Sequence, residues 1–269
     1  MTSCPPERSR ADWVKRLIPC VMWVGMWVAQ GSFAQPSTPK ATSSGVRVVV
    51  LDTGHGGPDE GTRGPTGLLE KHITLEVARD AARLIEQLLG LRAVLTRTDD
   101  DRVPLETRAA LANQAGGNLF ISIHAGGSFA PVAHGFQTFY LDRIPGVSPL
   151  VRDDARAGAL TRRGQAQPGA SLQPRVVLWE HAHVDFLETS QAFARLLDKN
   201  LRAQMAEEGR GTLGLPLLVL RWVRMPAVLV DLGSISDPAF EGRVRDEAYL
   251  NQAALGIAQA VNDYLELQR

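Results

Sequence analysis

Cysteine is nearly missing from this chain of 269 residues: there are two, Cys4 and Cys20, both within the first 34 positions. The remainder has no thiol, which excludes a disulfide framework and any cysteine metal ligand there. Net charge is missing too, with 29 Lys+Arg against 29 Asp+Glu, and that argues against a nucleic-acid partner. No apolar run is long enough for a bilayer. The N-terminal run Leu17 to Ala29 falls short of the roughly 20 residues a membrane helix needs. What is present is a 44% hydrophobic composition, enough to bury one full core in one domain.

The first 34 residues read as a secretory leader. Arg8, Arg10, Lys15 and Arg16 form a basic start, Leu17 to Ala29 is the apolar segment, and Ser32 and Ala34 put small residues at a cleavage site before Gln35. An uncleaved anchor helix is the alternative. Removing the leader leaves a net charge of about −2, so bulk charge does not capture the substrate. No stable membrane anchor is expected after cleavage, and a periplasmic or secreted location follows. Residues 35–44 are rich in Pro, Ser and Thr and read as a linker, leaving 45–269 as the folded domain.

Within that domain, Gly45 to Leu51 reads as a buried parallel strand. Gly54 to Gly67 is a glycine-rich loop with Pro58 and Pro65. Ile73 to Leu89 has apolar residues at helical spacing and Gly90 as its stop. Arg92 to Thr96 is a short strand, Pro104 to Ala115 a helix, and Asn118 to His124 and Gly135 to Leu141 are strands. Asp142 to Gln173 is polar with weak periodicity, and reads as a surface loop or as a lid beside the cleft. With the segment behind it, this marks an insertion at 142–187. Glu188 to Glu208 is a helix, Leu217 to Leu220 and Ala227 to Val230 are strands, and Asp246 to Leu267 is the closing helix. The alternation predicts a single three-layer α/β domain whose mostly parallel central sheet of about six strands is flanked by helices.

Three residues carry metal chemistry. His55 follows the first strand in Asp52-Thr53-Gly54-His55-Gly56-Gly57, His124 ends the run Phe120-Ile121-Ser122-Ile123, and Glu70 stands just before the first amphipathic helix. Two imidazoles and a carboxylate form a known catalytic zinc set with its fourth position left to water, and α/β sheets build sites at the carboxyl ends of their strands. Taken singly each has a plainer reading: a surface loop histidine, a carboxylate favoured by the helix dipole, and a core histidine. His181 and His183 are two apart, and read as exposed or packed against Trp179 in preference to ligating a metal. His72 and His134 read as structural.

These segments, in this order, resemble the zinc-dependent N-acetylmuramoyl-L-alanine amidases of bacterial cell walls, the amidase-3 family. Val48 to Gly57 is similar to the family's opening strand and first ligand, although Thr53 stands where Pro is usual. Glu70-Lys71 resembles its Glu-Lys pair, Val94 to Asp100 its second strand, and Arg108 with Ala112-Asn113 the matching positions of its second helix. Phe120 to Ala125 resembles the third-ligand signature, and Met225 to Val230 the strand leading to the catalytic acid. The resemblance implies Zn²⁺ held by His55, Glu70 and His124, peptidoglycan as substrate, and hydrolysis of the amide between N-acetylmuramic acid and L-alanine. It names no activator protein.

One departure touches the chemistry. The family pattern Glu-x-Gly-Phe-x-Ser-Asn here reads Asp231-Leu232-Gly233-Ser234-Ile235-Ser236-Asp237. Asp231, shorter by one methylene, is the expected catalytic carboxylate, which takes the proton of water and returns it to the leaving amine. Glu180 is the alternative carboxylate. A weakly active or noncatalytic peptidoglycan-binding relative that keeps the zinc site is the alternative function, and a zinc carboxypeptidase acting on the stem peptide is a third.

Overall fold

In the computed structural model the first valine run becomes β1 (Val48–Thr53), which is covered on both faces and paired along both edges. The structure describes residues 47–126, 135–142, 183–205 and 207–269. The leader, the linker, most of the 142–187 insertion, Glu180, His134 and His181 lie outside the described residues. The further strands are β2 (Arg92–Leu95), β3 (Leu119–His124), β4 (Gln137–Leu141), β5 (Thr212–Leu215) and β6 (Ala227–Asp231). The helices are α1 (Glu70–Leu89), α2 (Leu105–Gln114), α3 (Leu187–Met205), α4 (Leu218–Arg221), α5 (Pro238–Arg243) and α6 (Glu247–Leu267).

The six strands form one sheet in the order β2-β1-β3-β6-β4-β5. All neighbours run parallel except β4 and β6, which are antiparallel. Helices α1, α3 and α6 cover one face, burying Ile73, Val77, Phe193, Leu197, Ile257 and Val261 against Val49, Leu51, Ile121 and Val230. Phe193 meets Tyr264 edge-on with ring centres 5.4 Å apart. The other face packs Val50, Phe120 and Leu229 against Ala109 and Ala112 of α2 and Leu220 of α4. This is the expected three-layer architecture, and it brings the carboxyl ends of β1, β3 and β6 to one edge.

Three elements differ from the sequence reading. Residues 217–220 are not a strand: the short helix α4 lies there, and the sixth strand is β5, a few residues earlier. An apolar run of four has no period to choose between the two forms, and Gly211 and Gly214 disguise β5, which takes the sheet edge where glycine is tolerated. Helix α5, not anticipated, is marked by its start. The Asp237 side chain accepts a hydrogen bond from the Ala239 N–H (3.0 Å), and Pro238 opens the first turn. Asp237 therefore does the capping work that an Asn could do in the family pattern.

Candidate metal centre

His55 is reached within two residues of the end of β1, in a backbone conformation (φ 60°) that non-glycine residues seldom adopt. Arg108 of α2 holds it there. Its Nη2 donates to the His55 carbonyl (2.7 Å), Nη1 donates to the Thr53 carbonyl, and Nη1 is paired with the Asp52 carboxylate (2.9 Å). Asp52, completely buried, also accepts from the hydroxyls of Thr96 and Ser122, both at 2.7 Å. A buried ion pair with its remaining lone pairs satisfied thus fixes the turn that presents the histidine. Arg97 adds a tie, its Nη2 donating to the carbonyls of Gly54 (2.8 Å) and Lys71 (2.7 Å) and so joining the His55 turn to the start of α1.

Glu70 is the first residue of α1 and His124 the last of β3. The Glu70 carboxylate lies between the two imidazoles, with Oε2 3.2 Å from His55 Nε2 and Oε1 3.1 Å from His124 Nδ1. It also accepts from the backbone N–H of Thr62 (2.9 Å) and Ala125 (3.1 Å). The space is closely fitted. A Cβ added at Gly126 would come within 1.9 Å of Glu70 Oε2, and one at Gly54 within 2.7 Å of His124 Cε1. Glycine at these positions lets the chain pass behind the cluster.

Three ligand atoms, one from each residue, lie within 4.8 Å of one another, and together they can hold a metal ion. Bonds of roughly 2.0–2.1 Å at a tetrahedral zinc put neighbouring ligand atoms about 3.3 Å apart; each imidazole nitrogen stands near that distance from Glu70, but His55 faces Oε2 and His124 faces Oε1. Asp59 Oδ1 accepts from His55 Nδ1 (2.8 Å), which leaves Nε2 to face the cluster, as an outer carboxylate does for a ligating histidine. Burial by itself would raise the Glu70 carboxyl, yet the hydrogen bonds of His124 and His55 outweigh it and hold the group well below the usual carboxylate range. The donor set therefore suits a divalent cation.

Asp231 ends β6, paired in register with His124 across the β3–β6 ladder and with Gln137 across β4. It is almost fully buried. Burial pushes its carboxyl up to about 7, with Glu70 adding to the rise, against the pull of the Gly233 N–H, His124 and Arg210. A proton acceptor tuned near neutrality suits acid–base work. A cavity of about 310 Å³ opens onto the cluster, lined by His55, Asp59, Arg102, Leu105, Glu106, His124 and Val219. A larger hollow of about 610 Å³ lies elsewhere, beside His72, Arg79 and Glu247, but none of the metal-competent residues lines it.

The structure thus brings His55, Glu70 and His124 together and sets Asp231 beside them. Trp179 lies outside the described residues. Of the two readings of His183, the exposed one does not hold, because the residue is completely buried. Its Nδ1–H donates to the Val223 carbonyl (3.2 Å), so the neutral ring's Nε2 accepts from the Ser190 hydroxyl (3.0 Å). Ser190 Oγ in turn accepts from the Ala227 N–H (2.9 Å) at the start of β6. His72 is exposed on α1 and not part of the core. Sequence reasoning missed Asp59, Asp52 and Arg210. Asp59 stands four positions after His55 within Pro58-Asp59-Glu60, a stretch that looks like ordinary loop.

A mostly parallel sheet that gathers a His-Glu-His cluster at its carboxyl edge defines the class, an α/β protein with a metal-competent centre. The family model described as N-acetylmuramoyl-L-alanine amidase (Amidase_3) matches residues 49–263. The chain belongs to that family. It is 32% identical over 233 residues to N-acetylmuramoyl-L-alanine amidase AmiA of Escherichia coli K12, covering 85% of this chain and 80% of the relative. It is 32% identical over 250 residues to AmiC of Neisseria meningitidis serogroup B, covering 88% of this chain and 58% of that one. Among solved structures, an N-acetylmuramoyl-L-alanine amidase from Clostridium difficile 630 superposes with a TM-score of 0.63 at 26% identity, covering 83% of this chain and 98% of the other. The catalytic domain of CwlV from Bacillus (Paenibacillus) polymyxa var. colistinus does so at 0.62 and 27%, covering 82% and 99%.

Proposed function

We propose that this chain is an exported zinc hydrolase that cuts the amide between the lactyl group of N-acetylmuramic acid and the L-alanine of the peptidoglycan stem peptide. The observation that carries the reading is the convergence of His55, Glu70 and His124 on one point, with the buried carboxyl of Asp231 on the neighbouring strand. Membership in the amidase family and the names of the relatives support this choice of substrate. Residues 1–34 serve as a signal peptide and 35–44 as a linker, which puts residues 45–269 in the periplasm or outside the cell, where the wall lies.

His55, Glu70 and His124 would hold the zinc, which when bound supplies Lewis acidity to the scissile carbonyl and acidity to a water. The protein groups do the rest. Asp59 keeps the His55 ring turned so that Nε2 points into the site. Asp231 takes a proton from the attacking water on a carboxylate oxygen and passes it to the leaving amine nitrogen, a role that needs a group titrating near the working pH. The cavity beside Leu105, Glu106 and Val219 receives the substrate arm that leads to the bond.

The test is release of dye from labelled peptidoglycan by the purified protein with zinc, with mass analysis of the products. An amidase frees the whole stem peptide from the glycan, whereas a carboxypeptidase shortens it from its far end. Asp231→Ala should abolish release and Asp231→Glu should raise it. Undiminished release by Asp231→Ala would remove Asp231 from the mechanism. Zinc binding with no release at all would leave a wall-binding relative in place of an enzyme.

A further inference from the structure

We propose that Arg210 is the positioning residue for Asp231, aiming its carboxylate through an open guanidinium edge that the one-methylene-shorter acid does not fully close. The inference rests on the amidase reading above and adds to it a residue that the sequence did not point to.

Arg210 is anchored just ahead of β5 by its backbone, whose N–H donates to the Phe136 carbonyl (2.8 Å). Its side chain crosses toward β6, and Nη2 stands 3.7 Å from Asp231 Oδ2. Two of its nitrogens, Nε and Nη2, are buried and have no hydrogen-bond partner among the described residues. Those two nitrogens form one edge of the guanidinium, the edge that can grip a carboxylate with two parallel hydrogen bonds. Leaving buried donors unmade is costly, so an edge open on both atoms has a purpose to find. The facing group is a carboxylate. Asp231 Oδ1 is already engaged by the Gly233 N–H (3.2 Å), and Oδ2 is the oxygen turned to Arg210.

The separation is beyond hydrogen-bond range by somewhat under 1 Å. One more methylene would carry a carboxylate forward by about 1.3 Å, more than enough to close it. The Glu usual at this position in the family matches the size of the gap. In this chain Asp231 is held by charge and by Gly233, with its second oxygen pulled toward Arg210 and kept from turning to the like-charged Glu70.

The experiment is a double-mutant cycle on the zinc-loaded protein, comparing wild type, Asp231→Glu, Arg210→Gln and the pair, in thermal melting and in peptidoglycan turnover. Asp231→Glu should raise the melting point by about 2–4 °C when Arg210 is present and should lose that gain in the Arg210→Gln background. Arg210→Gln alone should lower kcat by roughly 10- to 100-fold, the cost of an aiming error near 1 Å, with KM and zinc affinity little changed. Added guanidinium should restore part of the rate to Arg210→Ala. An equal melting gain from Asp231→Glu in both backgrounds overturns the proposal. So does a rise in KM at constant kcat, which would make Arg210 a substrate-binding group. If wild type binds zinc yet releases no peptide, the amidase reading falls, and the melting cycle still decides the Arg210–Asp231 pairing.

Discussion

One imidazole should contribute a separable share of the loss of stability in acid. His183 is completely buried, and burial pushes its pKa down to about 4 against the hydrogen bonds of the Val223 and Met225 backbone. In the unfolded chain the same ring titrates near 6.5. Between those values the unfolded state takes up a proton that the native state refuses. The stabilisation is therefore complete above about pH 6.5 and is lost as the pH falls toward 4. The separation of about 2.5 units, at about 1.4 kcal/mol each, comes to roughly 3 kcal/mol in all. Urea unfolding followed by circular dichroism at a series of pH values, with a metal chelator present throughout, should be run on wild type and on His183→Asn. The asparagine amide can still donate to the Val223 carbonyl but cannot titrate. At pH 7 the variant should be less stable, by roughly 1–3 kcal/mol for the bond lost to Ser190. That deficit should shrink by roughly 3 kcal/mol on going to pH 4, because every other titrating group cancels in the difference. A deficit that stays constant across the range would refute the reasoning.

Glu70→Gln should weaken zinc binding by more than about 100-fold, since it removes the charged ligand and exceeds an outer-shell loss; competition with a chromophoric chelator reads it, and unchanged affinity would discard the ligand assignment. Arg108→Met should cost roughly 3–5 kcal/mol in urea unfolding because Asp52 is left as a buried charge without its partner, and an Asp52→Asn change made together with it should return part of that loss. Gly126→Ala drives a methyl to within 1.9 Å of Glu70 Oε2, so zinc affinity should fall by roughly 10-fold with the far-UV spectrum unchanged; an unaltered affinity would mean the cluster tolerates a displaced carboxylate.

The three ligand candidates were legible because each sits at a boundary that sequence pattern marks well: the end of a valine-rich strand for His55, the end of another apolar strand for His124, and the start of an amphipathic helix for Glu70. The sheet core followed from the same continuous runs, which only strands covered on both faces can afford. The site's supports were not legible. Asp52 and Arg108 lie 56 positions apart, and nothing local signals that a strand acid and a helix base will meet. His183 misled for a related reason. Its neighbourhood is polar in sequence, but its partners come from Val223 and Ser190, 40 and 7 positions away. Strand β5 was hidden by its glycines, and α4 by an apolar run too short to carry a period.

The ladder between β1 and β3 pairs Thr53 with Ile123, and 54 positions separate Glu70 from His124. No short peptide excised from this protein can therefore bring all the donors together. The pocket for the ion is created only when distant stretches register in parallel, a step that closes large loops and comes late. Ion uptake should then mark completion of folding: a collapsed but unregistered chain would leave zinc in solution, and a bound ion would in turn lock the two central strands against local opening.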